Sequence, residues 1–192
     1  MDHKEIIIRA ATELIEERGE QISDITVREI SKRAHVGLGL INYHFGNKDN
    51  LIAICVERVI NGIVENFQSI REKTGGYTPV EKLEYLGNLT WTFMFEHYAM
   101  SKISVLSDMA SPKEDDNTRR TYRAYLPLVA ACRPDWDEEM LQRRTFCLIA
   151  VMQQVFLQYQ VIRQLYGIDL TNMEERKEYH AKLLRDILEV KE

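Results

Sequence analysis

Glycine and proline are scarce in this 192-residue chain, nine and four residues in all. So few turn formers leave little room for the tight reversals of an all-β fold. Cysteine is scarcer still. Cys55, Cys132 and Cys147 are odd in number and scattered through apolar-periodic segments. They read as buried thiols of a reducing compartment rather than as a disulfide framework. Long apolar runs are missing too. The longest, FCLIAVM at 146–152, is far too short to span a bilayer. The opening Met-Asp-His-Lys-Glu leads into an amphipathic segment rather than a secretory signal pattern, so a cytoplasmic location is expected. No His, Cys, Asp and Glu spacing suits a metal, and no phosphate loop or nucleophile elbow occurs. The sequence therefore predicts no cofactor and no enzyme activity.

Hydrophobic residues make up 45% of the chain and charged residues 29%, the balance of a globular protein. The net charge of −5 argues weakly against nucleic acid as a partner of the whole chain. Locally the balance reverses. Residues 25–48 carry Arg28, Lys32, Arg33 and Lys48 against Glu29 alone, a net of +3 that leaves −8 for the remainder. A small basic face on an acidic body suits DNA binding through that face.

Apolar periodicity predicts about nine helices and no strand. Ile7, Ala10, Ala11, Leu14 and Ile15 stripe a first helix over 4–18, stopped by Gly19. Thr26 and Glu29 have the spacing of a capping box and open a short helix to about Ala34. A second short helix covers roughly 38–43, with Val36, Ile41 and Phe45 as core anchors. Asn47 caps a long helix over 48–72, striped by Leu51, Ile54, Cys55, Val59, Ile63, Phe67 and Ile70. Gly75 and Gly76 mark an internal boundary, and Pro79 opens the next helix, to about residue 100. Pieces at 102–110 and 118–132 follow, the latter interrupted by Pro127. A helix from Pro134 to Tyr166 is stopped by Gly167. A second capping box, Thr171 with Glu174, opens a last helix.

The stretch HVGLGLINYHFGNKDNL, 35–51, places a short glycine-flanked helix immediately after another short helix. This is the layout of a helix-turn-helix reader. In that layout Gly37 gives a sharp turn and Gly39 keeps the reading helix slim. Asn42, Tyr43 and His44 face bases, sugars or phosphates. Lys48 and the following helix start meet a phosphate.

Residues 25–51, ITVREISKRAHVGLGLINYHFGNKDNL, resemble the signature of the tetracycline-repressor-like (TetR) family of transcriptional regulators. The matching positions are Thr26, Val27, Ile30, Ala34, Val36, Gly39, Ile41, Tyr43, His44, Phe45, Lys48 and Leu51. His35 stands where the family usually has Gly, which asks His to adopt a left-handed turn. Gly37, Leu40 and Asn42 also replace more usual residues, which bears on operator choice. The resemblance implies an all-α homodimer with a DNA-binding domain at 1–48 and a ligand-binding and dimerisation domain at 49–192. It implies a palindromic double-stranded DNA operator and a small-molecule effector that releases a repressor from it. The expected DNA-binding residues are Thr26, Val27, Arg28, Gly37, Leu38, Gly39, Asn42, Tyr43, His44 and Lys48.

The segment NLTWTFMFEHYAM, 88–100, is aromatic-rich and reads as core or as the wall of a ligand cavity. With that cavity in mind, Trp91, Phe93, Met94, His97, Tyr98, Tyr122 and Gln153 are the expected ligand contacts. His97 reads as a satisfied interior histidine. Residues 146–167 are apolar nearly all round a helix, so a second face needs a cover. Met152, Phe156, Tyr159, Leu183, Leu184, Ile187 and Leu188 are the expected dimer interface. The alternative is an all-α scaffold or enzyme without sequence-specific DNA binding.

Overall fold

The computed structural model describes residues 2–19 and 24–189, and of residues 61–72 the backbone alone. Ten helices and no strand occur among the described residues. They are α1 (His3–Arg18), α2 (Val27–Ala34), α3 (Leu38–Phe45), α4 (Lys48–Lys73), α5 (Pro79–Glu96), α6 (Tyr98–Ala110), α7 (Asn117–Cys132), α8 (Glu138–Leu157), α9 (Tyr159–Tyr166) and α10 (Met173–Leu188). The all-α expectation holds. The count differs because the segment expected to run unbroken to Tyr166 bends by 82° between α8 and α9. Among the described residues, no single helix is long and apolar enough to cross a membrane.

The chain divides into two compact units. One comprises Met1–Glu65 with His97–Leu106, the other Asn66–Glu96 with Ser107–Glu192. In the first, the expected stripe Ile7, Ala10, Ala11, Leu14 and Ile15 is buried with Ile30, Ile41, Phe45, Leu51 and Cys55. Ala99 and Met100 of α6 join that core. The division falls inside α4 rather than at residue 48, because Leu51, Cys55 and Val56 belong to the first core. The expected positions Ile63, Phe67 and Ile70 lie outside the described side chains.

In the second unit α5, α7, α8 and α10 pack together around Leu83, Trp91, Tyr125, Val129, Leu148, Met152 and Leu184. Local chemistry sets the helix starts. Asp116 and Asp137 accept from the backbone N–H groups of Arg119 and Met140, both three residues on. Thr78 and Glu81 form a reciprocal capping box that opens α5 with Pro79 in its first turn. At α10 the expected box is replaced. Asn172 caps the helix through the N–H groups of Glu174 and Glu175, while Thr171 Oγ1 donates to Asp169. Pro127 sits inside α7 without ending it. The cysteines also differ from expectation, since Cys55 is buried, Cys132 half-buried and Cys147 exposed.

Candidate nucleic-acid interface

The first unit holds the starts of α2, α3 and α4, and α3 turns one face to solvent. Thr26 caps α2, and its Oγ1 accepts from the Glu29 N–H at 3.2 Å. Glu29 returns the contact by accepting from the Thr26 N–H at 2.8 Å. That backbone hydrogen bond is the leading cause of the lowered pKa of Glu29. The same carboxylate meets Arg18 of α1 at 2.6 Å, so one side chain caps α2 and ties it to α1.

α2 ends at His35, which adopts the left-handed conformation, φ 54°. The turn is closed by the His35 N–H donating to Lys32 O and by Ser31 Oγ donating to Val36 O at 2.6 Å. Gly37 is not the residue that makes the turn. Its φ of −67° is open to any residue, and a β-carbon there would meet nothing within 4 Å. The expectation for Gly37 is corrected: His35 carries the positive φ, and Gly37 is the cap position of α3 without a side chain to cap it.

α3 is two turns long. Ile41 and Phe45 are buried in the first core, which fixes the rotation of the helix about its axis. Leu38, Gly39, Asn42 and Tyr43 are consequently all exposed, as one turn's spacing of i, i+1, i+4, i+5 requires. Leu38 is 43% and Tyr43 82% exposed, an unusual display of apolar and aromatic surface on so short a helix. His44 is half-buried, its ring 5.1 Å from that of Tyr43 and 6.0 Å from that of Phe45. Gly46 ends α3 with φ 76°. Asn47 then caps α4 by accepting from the Asn50 N–H at 2.8 Å.

Lys48 connects the two ends of this layout. Its ammonium donates to the Ile25 carbonyl at 3.0 Å, next to the Thr26 cap and 23 residues away in sequence. One cation thus stands between the starts of α2 and α4, where unpaired backbone N–H groups add to its field. Thr26 and Arg28 are exposed and Val27 is half-buried. Arg33 behaves differently from expectation. It holds Glu17 through two hydrogen bonds, 2.8 and 2.6 Å, with Glu13 at 3.6 Å. Its charge is engaged by α1, which leaves the exposed face less basic than a residue count implies.

The expected ligand contacts do not form one group. Trp91 is fully buried, donating its indole N–H to Met152 O at 3.3 Å and lying against Tyr179 and His180. It is a core residue. Phe93, Met94, Tyr122 and Gln153 are half-buried in the second unit, and the Gln153 amide donates to Thr118 Oγ1 at 2.8 Å. His97 and Tyr98 belong to the first unit. His97 is partly exposed rather than interior, with Nδ1 2.9 Å from Glu16.

The expected interface residues divide in the same way. Met152, Phe156, Leu184 and Leu188 are buried inside the chain itself and leave no area for a second copy to cover. The Phe156 ring packs edge-on to Phe95, 5.4 Å between centroids. Tyr159, Leu183 and Ile187 remain half-exposed. Phe146, 60% exposed, is the large apolar side chain of α8 that faces outward.

The seam between α5 and α10 was not anticipated. Arg176 and His180 are buried, one helical turn apart. Arg176 donates to the Leu170 carbonyl at 2.8 Å, with its guanidinium 4.9 Å from the centre of the Phe95 ring. Burial lowers its pKa. Both ring nitrogens of His180 lack a hydrogen-bond partner, as do Glu84 Oε1 and Asn88 Oδ1. The available signal was the spacing Arg176, His180, Leu184, Leu188, which sets two polar residues on the buried stripe. Among the described residues, no three His, Cys, Asp or Glu side chains gather as a metal site.

Residues 7–54 match the family described as bacterial regulatory proteins, tetR family. No curated protein matches the chain. Solved structures share the fold over nearly the full length. One, titled for the molecular basis of control of antibiotic production by bacterial hormones, has TM-score 0.65 and 19% identity, covering 94% of this chain and 95% of its own. A TetR-like transcriptional regulator from Rhodococcus sp. RHA1 has TM-score 0.63 and 15% identity, covering 98% and 97%. The FadR repressor of Thermus thermophilus, solved with lauroyl-CoA, has TM-score 0.60 and 23% identity, covering 98% and 96%.

Proposed function

We propose that the chain is a regulator of the tetR type, whose family model its residues 7–54 match, and that it is a cytoplasmic repressor released from a palindromic operator by a small-molecule effector. The observation that carries this reading is the exposed face of α3, held by Ile41 and Phe45 and flanked by Lys48 at the start of α4. A helix presented in this way can enter the major groove while neighbouring helix starts take phosphates. The DNA-binding residues lie in the first unit, within 1–48, and the effector and the second subunit bind the second unit, within 49–192. Thr26, Arg28 and Lys48 take phosphates, with Val27 and His44 beside them. Gly37, Leu38, Gly39, Asn42 and Tyr43 face the groove.

The effector enters the second unit, against Phe93, Met94, Tyr122 and Gln153. The lauroyl-CoA bound by a relative of the same fold supports an effector with a sizeable apolar part. A second copy covers Phe146, Leu183 and Ile187, and half-site reading requires two copies. Effector binding favours a dimer geometry whose reading helices no longer match the operator spacing, so DNA affinity falls.

Selection of bound duplexes from random DNA tests the reading. The expected result is one enriched palindrome with half-site centres roughly 34–36 Å apart or a multiple of that. Recovery of no preferred sequence would favour the scaffold or enzyme alternative.

A further inference from the structure

We infer that α3 is an A·T reader, with Asn42 taking an adenine and Leu38 the methyl group of a thymine in each half-site. The inference rests on the DNA-binding reading above and adds the base identity. Its ground is the chemistry of the exposed face. Across α3, the sequence LGLINYHF contains no Arg, Lys, Gln, Asp, Glu, Ser or Thr. Guanine in the major groove is read chiefly by the paired donors of Arg or Lys, and cytosine by an acceptor such as Asp or Glu. α3 carries neither.

What α3 does expose is narrow. Asn42 offers an amide NH2 and a carbonyl acceptor in a single plane, a donor–acceptor pair that matches N7 and N6 of adenine. Leu38 is 43% exposed at the first position of the helix. An apolar side chain at the groove-facing end of a reading helix has one apolar partner among the major-groove edges, the thymine C5-methyl. Gly37 and Gly39 flank Leu38 with open space where their β-carbons would stand. The backbone can therefore come close enough for a short side chain to touch a base. The third exposed group, Tyr43, is 82% exposed and lies beside Asn42 on the same face. Its phenol suits the sugar-phosphate edge.

The register follows from helix geometry. Leu38 and Asn42 are four residues apart, or roughly 6 Å along the axis. A base-pair step is about 3.4 Å. The two A·T pairs should lie within two steps of each other in each half-site.

The experiment has two parts. First, duplexes are selected from random DNA with the full-length protein, its Asn42→Ala variant and its Leu38→Ala variant. Second, the enriched site is resynthesised with uracil replacing each thymine in turn, which removes the methyl group alone. The wild type is expected to enrich two A·T pairs within two steps in each half-site. One uracil replacement should weaken it about three- to tenfold and leave Leu38→Ala unaffected. Asn42→Ala should lose the adenine preference at one position, with affinity at least about tenfold lower. Both variants should melt like the wild type, since both side chains are exposed. A half-site of G·C pairs at the positions altered by these two variants would overturn the inference and leave the regulator reading standing. So would indifference to uracil at every position. Enrichment of no site at all would overturn the regulator reading, and the inference with it.

Discussion

The imidazole of His180 lies directly over Gly87: a β-carbon on residue 87 would stand 1.9 Å from its Cε1 and 2.0 Å from its Nε2. Glycine is there because α10 approaches α5 at the width of a ring with no side chain between them. The His180 ring cannot swing away freely, since it is fully buried and packs 5.1 Å from Trp91. Gly87→Ala should therefore destabilise the protein by about 1–3 kcal/mol, a fall of several degrees in Tm for a chain of this length. Adding His180→Ala should recover part of the loss, because the three nearest atoms to that β-carbon all belong to the His180 ring. Thermal melting of the two single variants and the double variant measures this, and a Gly87→Ala variant melting like the wild type would refute the packing argument.

His180 also sets a pH dependence. Burial lowers its pKa from 6.5 to about 4, and neither ring nitrogen has a hydrogen-bond partner. The unfolded chain therefore binds a proton between pH 6.5 and 4 that the folded chain does not. Stability is full above pH 6.5 and declines as pH falls through that window, by about 3 kcal/mol in total. Urea unfolding at pH 7 and pH 4.5 should show the loss in the wild type, and His180→Phe should remove most of the difference attributable to this ring. An equal decline in that variant would place the effect elsewhere.

Lys48 is expected to act without regard to sequence. Its ammonium donates to the Ile25 carbonyl, and its charge stands at the start of α4, where a phosphate can meet it. Lys48→Ala should weaken binding to specific and random duplexes alike and reduce the salt slope by about one unit. Titrations at several salt concentrations decide it. A loss confined to the specific site would mean that Lys48 orients α3 rather than meeting a phosphate.

Gly39 separates stability from recognition. A β-carbon there meets nothing within 4 Å, and glycine inside a helix is less favourable than alanine by up to about 1 kcal/mol. Gly39→Ala should melt at the same temperature or slightly higher, while Gly39→Leu should abolish operator binding and stay folded. Undiminished operator affinity in Gly39→Leu would show that α3 does not approach the groove closely at this point.

Assembly can be probed at two phenylalanines with opposite burial. Phe146 is 60% exposed and Phe156 fully buried. Phe146→Glu should give a folded monomer and cost operator affinity, if a second copy covers that face. Phe156→Glu should unfold the second unit instead, because an unpaired charge would replace a ring held against Phe95. Sedimentation together with circular dichroism distinguishes the two, and a wild-type monomer at micromolar concentration would contradict the dimer proposal.

Much of what depends on neighbours within about one helical turn was legible from the residues alone, though the Thr171 box was not, since Asn172 took the cap. Thr26 and Glu29 meet across three residues, so their capping box was readable, as were the stripe of α1 and the stop at Gly167. The left-handed turn at His35 followed from the family resemblance, in which that position usually holds Gly, while the residues alone pointed to Gly37. Only the tertiary structure decided which face of an apolar helix turns inward. Residues 146–167 are apolar nearly all round, so periodicity alone left Phe156 free to face a partner, and docking against α5 placed it beside Phe95. The bend at Gln158 has no Pro or Gly at that point to announce it. Lys48 with Ile25, and Gly87 with His180, are pairs 23 and 93 positions apart. No local rule links them. They exist because separate helices, each specified by its own stripe, bury those stripes against one another and bring distant residues within a few ångströms.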